Sequence, residues 1–90
     1  MGMIETTVDI PAEHQANVFG QFDAFAKKIE RTLHVTLIAR DDTVKILGEE
    51  AVALQAKSVL EQLTALARRG NQIQEQNVNY TLALSMEQSE

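Results

Sequence analysis

Ninety residues with a formal net charge of −5 make one small domain at most, since typical domains run to about 100–150 residues and leave no length for a separate catalytic lobe. Hydrophobic residues at 44% and charged residues at 23% lie near globular averages and exclude an apolar-poor, disordered chain. The absence of cysteine excludes disulfides, thiolate zinc sites and cysteine nucleophiles together.

Ile4, Thr6, Val8 and Ile10 alternate along a β-branched stretch that Pro11 stops, because proline lacks the donor a central strand needs. The spacing predicts a first strand. Met1-Gly2-Met3 ahead of it reads as a cloning remnant before a second start and is left outside the fold. From Ala12 the period changes. Val18, Phe22, Phe25, Ile29 and Leu33 recur every three or four residues, flanked by Phe19 and Ala26, and at about 100° per residue they form one apolar stripe. Gly20 interrupts it, so two helices are expected with a tight turn at residues 20–22 and Asp23 as the N-cap of the second. Phe19 and Phe22 invite a stacking reading, since exposed aromatics stack on single-stranded bases, but core packing is favoured because both lie on the stripe and aromatics number only four.

Val35, Leu37 and Ala39 alternate, Arg40-Asp41-Asp42-Thr43 supplies turn-forming side chains, and Val44, Ile46 and Leu47 resume the extended pattern up to Gly48. That predicts a β-hairpin. Val52, Ala56, Val59, Leu60, Leu63 and Leu66 form the longest helical stripe, opened by Glu49 and Glu50 and closed by Arg68, Arg69 and Gly70, charges that complement the helix dipole. Gly70 suits the left-handed residue that ends such a helix. The tail fits two patterns: Val78, Tyr80, Leu82 and Leu84 alternate like a strand, whereas Val78, Leu82 and Met86 keep a helical spacing. Tyr80 is expected to be half-buried with a wet hydroxyl.

A strand, two helices split by a glycine turn, a hairpin and a long helix make an α+β domain whose three-stranded sheet is covered on one face by helices. The order β-α-α-β-β-α resembles a K-homology (KH) type I module. Gly20 at the turn between the helices, the run Val35-Thr36-Leu37-Ile38-Ala39-Arg40, and Val44-Lys45-Ile46-Leu47-Gly48 followed by Glu49-Glu50-Ala51-Val52 and Ala56 carry that likeness. Taken with Val18-Phe19-Gly20, Leu33-His34, Thr43-Val44, Arg68-Arg69-Gly70, Ile73, Val78 and Tyr80, the chain from about Ile4 to Leu84 resembles the N-terminal domain of PhoH-like P-loop ATPases. The resemblance implies a KH-like domain over residues 4–70 and a segment over 71–90 that is helical and leads toward an ATPase domain absent from this chain. It also implies single-stranded RNA as a partner, with the ATPase domain in cis and a homo-oligomer as further partners.

Two residues depart from the family pattern. The KH loop is usually Gly-x-x-Gly, whose bare backbone presses against phosphates. Here it is Gly20-Gln21-Phe22-Asp23, and Asp23 puts a side chain and a negative charge where a phosphate would pass. His34 stands where a helix-ending glycine is common, and histidine tolerates that conformation better than most residues.

A P-loop needs glycine followed by Lys and Ser or Thr, but Gly2, Gly20, Gly48 and Gly70 are followed by Met, Gln, Glu and Asn. The chain itself therefore reads as non-enzymatic and free of cofactor, with ATP and Mg²⁺ expected in the absent domain. His14 and His34 have no cysteine and no i, i+4 partner, so they read as solvent-exposed or structural residues and not as metal ligands. No apolar run reaches the roughly 18–20 residues of a membrane span, and no signal peptide opens the chain, so a cytoplasmic protein is expected.

All eight bases lie between Gly20 and Gly70, and both ends are purely acidic. Lys27, Lys28 and Arg31 fall on the second helix opposite Phe25 and Ile29, and Arg40 comes from the hairpin. With Gly20 and Gln21 they form a candidate RNA-binding strip. The same residues also read as a solvated helix face on a KH-shaped interaction or assembly domain that docks on the ATPase domain or another subunit without binding RNA.

Overall fold

A computed structural model describes residues 2–87. Strand β1 (Met3–Asp9) leads into helix α1 (Ala12–Phe19), a single 3-10 turn (Gln21–Asp23) and helix α2 (Ala24–Leu33). Strands β2 (Thr36–Arg40) and β3 (Thr43–Glu49) follow, then helices α3 (Glu50–Arg68) and α4 (Glu75–Glu87). The sheet is antiparallel in the order β1-β3-β2, with Val8 opposite Val44, Thr6 opposite Ile46, and Ile38 opposite Lys45. This is the α+β, KH-like architecture expected from the order of elements. The tail resolves to a helix, α4, as the family resemblance implied.

Alternation puts Val8, Val44 and Ile46 on the inner face of the sheet, where α3 covers them. Ala53 and Ala56, fully buried on α3, are small enough to let the helix approach the sheet closely, while Val59, Leu60 and Leu63 fill the layer behind them. Gly48 completes the approach. A β-carbon there would lie 2.8 Å from Val35 Cγ1, so only glycine lets the strand pass the residue that opens the hairpin. Val78 and Leu82 of α4 are buried against the same core. The buried hydroxyls of Thr64, Thr81 and Ser85 each donate to a carbonyl within their own helix, to Leu60, Asn77 and Leu82 respectively, so they leave no polar group unsatisfied.

Helix α1 opens on Pro11, which offers no capping side chain. Its first amide finds a partner 30 residues away: Ala12 N–H donates to Asp42 Oδ1 at 2.8 Å. Ile10 N–H donates to the Asp42 carbonyl at 3.0 Å, and Gln15 Nε2 donates to the carbonyls of Ile10 and Asp41 at 2.9 and 2.6 Å. The hairpin turn thus serves as the cap of α1. Replacing Asp42 by alanine should cost about 1 kcal/mol in urea unfolding, as loss of a capping acceptor does, and Asp42→Asn should keep most of it. An unchanged unfolding midpoint for Asp42→Ala would show that the cap contributes nothing.

Strand β1 begins one residue before the alternation marks it, at Met3 opposite Glu49. Three expectations need correction. Asp23 does not cap α2: its backbone is left-handed (φ 59, ψ 26) and its side chain makes no cap hydrogen bond. Phe22 is not a core residue but 84% exposed, because left-handed backbone at residues 22 and 23 turns it off the stripe that Phe25, Ile29 and Leu33 continue. Tyr80 is 67% exposed, since α4 buries Val78, Thr81, Leu82 and Ser85 instead and turns position 80 outward.

Candidate nucleic-acid interface

The break between α1 and α2 is built on Gly20, whose φ of 81 and ψ of 168 lie in a region that side-chain-bearing residues avoid. Gly20 N–H still closes α1 by donating to the Ala16 carbonyl at 3.0 Å, while its own carbonyl accepts from Asp23 N–H at 3.0 Å. The loop is therefore a pinned corner. Gly20 rests on the Phe25 ring. At the other end of α2, His34 ends the helix with φ 58 and ψ 48, the left-handed conformation its histidine side chain was expected to tolerate.

The candidate residues separate into three groups. Gly20 and exposed Gln21 form the loop, and exposed Lys27 and Arg31 stand one helical turn apart on the outer face of α2. Lys28 turns sideways: its Nζ lies 3.3 Å from Glu75 Oε2, so it ties α2 to α4. Arg40 lies at the end of β2, where the hairpin turn meets the start of α1. The loop at Gly20 follows the other end of that eight-residue helix, about 12 Å away by its rise per residue. Lys27, Arg31 and Arg40 take part in none of the ion pairs found among the described residues, which join His14 to Glu13, Lys28 to Glu75, and Lys45 to Glu5.

Three features of the site lie outside the sequence reading. Glu30 reaches across from α2 so that its Oε2 accepts the Leu37 N–H at 2.9 Å, occupying a donor on the free edge of β2. Asn17 clamps the segment between α3 and α4, donating to the Asn71 carbonyl at 2.8 Å and accepting from Ile73 N–H at 2.9 Å. Between α1, the loop and that clamped segment lies a cavity of about 470 Å³, lined by Asn17, Gly20, Gln21, Phe25 and Gln72 among others. The Glu30 and Asn17 contacts are made by single polar side chains acting over 7 to 56 positions, and no periodicity marks them. Among the described residues no group of three His, Cys, Asp or Glu is placed to hold a metal ion, and no helix is long and apolar enough to cross a membrane.

No protein-family model matches the chain. Among solved structures, a protein of unknown function from Aeropyrum pernix shares the fold, with a TM-score of 0.75 at 18% identity over 97% of this chain and 49% of that one. Among curated proteins, a PhoH-like protein of Bacillus subtilis is 32% identical over 69 residues, 77% of this chain. A PhoH-like protein of Mycobacterium tuberculosis is 26% identical over 81 residues, 90% of this chain. The chain spans only 22% and 23% of the length of those two relatives. Its kinship with them covers most of its own ninety residues, and in family terms the chain is a PhoH-like domain.

Proposed function

We propose that the chain is the N-terminal, KH-like RNA-binding module of a cytoplasmic PhoH-like protein whose ATPase site, with its ATP and Mg²⁺, lies outside these residues. The observation that carries this reading is the pairing of a KH-like glycine corner with an exposed, unpaired Lys27–Arg31 face on the helix it launches. In a module of this kind the loop backbone at Gly20 and Gln21 approaches the phosphates, and the two cations neutralise them. Arg40 extends the contact to the hairpin. Lys28 contributes only if it leaves Glu75, which makes it the weakest of the six candidates. Residues 71–87 would then continue toward the ATPase domain in cis.

With two or three phosphate contacts on single-stranded RNA, the logarithm of affinity should fall against the logarithm of salt with a slope of about −1.4 to −2. Replacing both Lys27 and Arg31 by glutamate should flatten that slope and weaken binding by tenfold or more at low salt. Fluorescence anisotropy with a labelled single-stranded hexanucleotide at two salt concentrations reads both. If wild type and double variant titrate alike, the RNA reading is wrong.

A second reading is favoured by the negative groups at the same place: Asp23 in the loop, and Glu30 occupying the Leu37 amide beside α2. It makes the domain a docking element for the rest of the PhoH-like protein or for another copy. Absence of RNA binding in the titration would leave that reading standing.

A further inference from the structure

Phe22 is the most exposed of the large hydrophobic side chains among the described residues, at 84%. Its backbone (φ 57, ψ 29) is left-handed, and so is that of Asp23. For an aromatic residue this conformation is an outlier, and two in succession persist only where surrounding structure enforces them. Here the enforcement is visible: the Gly20 carbonyl holds the Asp23 amide, and Gly20 is packed on Phe25. Phe25, three residues on, is partly buried against the core, whereas Phe22 is not. Holding this phenyl ring in water thus costs the domain both backbone strain and lost burial.

We propose that the Phe22 ring is a stacking platform for a base of single-stranded RNA, a role that rests on the RNA reading above. An aromatic face stacks on any base without reading its sequence, and the backbone of the same strand then runs along neighbouring cations. Phe22 stands two residues before α2, the helix that carries Lys27 and Arg31. A protein contact of the hot-spot kind sits instead within an apolar surround that excludes water. Phe22 has no such surround in sequence: Gln21, Asp23 and Ala24 beside it are exposed, and the other exposed large hydrophobics, Met3, Ile38, Leu54, Tyr80 and Met86, lie on other elements.

The chain contains no tryptophan, so Phe22→Trp introduces a single indole reporter at the platform. Titrating it with a uridine hexanucleotide at low salt should quench the indole emission, and an intact duplex of equal length should not. Phe22→Ala should bind the hexanucleotide about tenfold more weakly, with an unchanged salt slope, because a ring and not a charge has been removed. Circular dichroism of each variant confirms that the fold survives. If Phe22→Ala binds like wild type while the Lys27 and Arg31 double variant does not, the platform is overturned and the RNA reading survives. If wild type binds no RNA, both fall. If Phe22→Ala changes only the sedimentation of the protein, the ring is a protein contact and the proposal is overturned.

Discussion

Gly20→Ala is expected to lose roughly 3 kcal/mol of unfolding free energy, from two separate costs. The first is conformational. At φ 81 and ψ 168 any side chain is strained whatever space surrounds it. The second is steric: a β-carbon would lie 2.6 Å from Phe25 Cδ2 and 2.7 Å from its Cγ. That ring is no free end that can swing aside, since Phe25 is partly buried and packed against the hydrophobic core. Either the ring shifts and opens the core, or the corner between α1 and α2 unwinds. Gly70 isolates the first cost, because its φ is 93 but nothing lies within 4 Å of its would-be β-carbon. Gly70→Ala should therefore cost only about 1 kcal/mol. Urea denaturation of the two variants reads the difference, and equal midpoints would show that the Phe25 contact carries no energy.

The parts of this fold that were legible in the sequence are those written as repeating patterns. Alternation at Ile4, Thr6, Val8 and at Val44, Ile46 has a period of two, and a sheet with one covered face admits no other placement of those residues. The long stripe from Val52 to Leu66 has the period of a helix and became α3, ended by Gly70 in the left-handed conformation. Gly20 was legible too, since a glycine inside an apolar helical stripe is a stop. The direction of the chain beyond that stop was not. Phe22 fits the stripe by spacing, but spacing holds only while φ and ψ stay helical, and two left-handed residues turn the frame between Phe22 and Phe25. The same break explains why Asp23 fails as a cap: a capping side chain needs extended backbone to fold over the first turn.

The candidate site was legible in kind more than in arrangement. A helical wheel places Lys27, Lys28 and Arg31 on the half of α2 away from the core, but it knows nothing of α4, whose Glu75 draws Lys28 sideways, away from the other two. Acceptors such as Asp42 for Ala12 and Glu30 for Leu37 are chosen by the approach of elements distant in the chain, which periodicity does not encode. The outcome divides the surface of α2 into an outer strip that carries charge to solvent and two flanks already committed to α4 and β2.

That division makes Ile29 the residue on which the site depends most. Helix α2 buries only two side chains completely or nearly so, Ile29 at 0% and Leu33 at 3%. Ile29→Ala should cost about 3 kcal/mol, the transfer of the lost methyl and methylene groups plus the cavity left between α2, α3 and the sheet. For a domain of this size total stability is on the order of 5–10 kcal/mol, so the variant should remain folded with a urea midpoint lowered by a third or more. The loss should be uneven. Amide exchange should quicken most in α2, whose remaining ties are Leu33, the partly buried Phe25 and two polar contacts, and least in β3, which is paired on both sides. RNA affinity, where the Lys27–Arg31 face supplies it, should fall with the order of that helix although no charge has been touched. A uniform rise in exchange across the sheet and all helices would show instead that α2 opens only with the whole domain, and that its outer face is as rigid as the core beneath it.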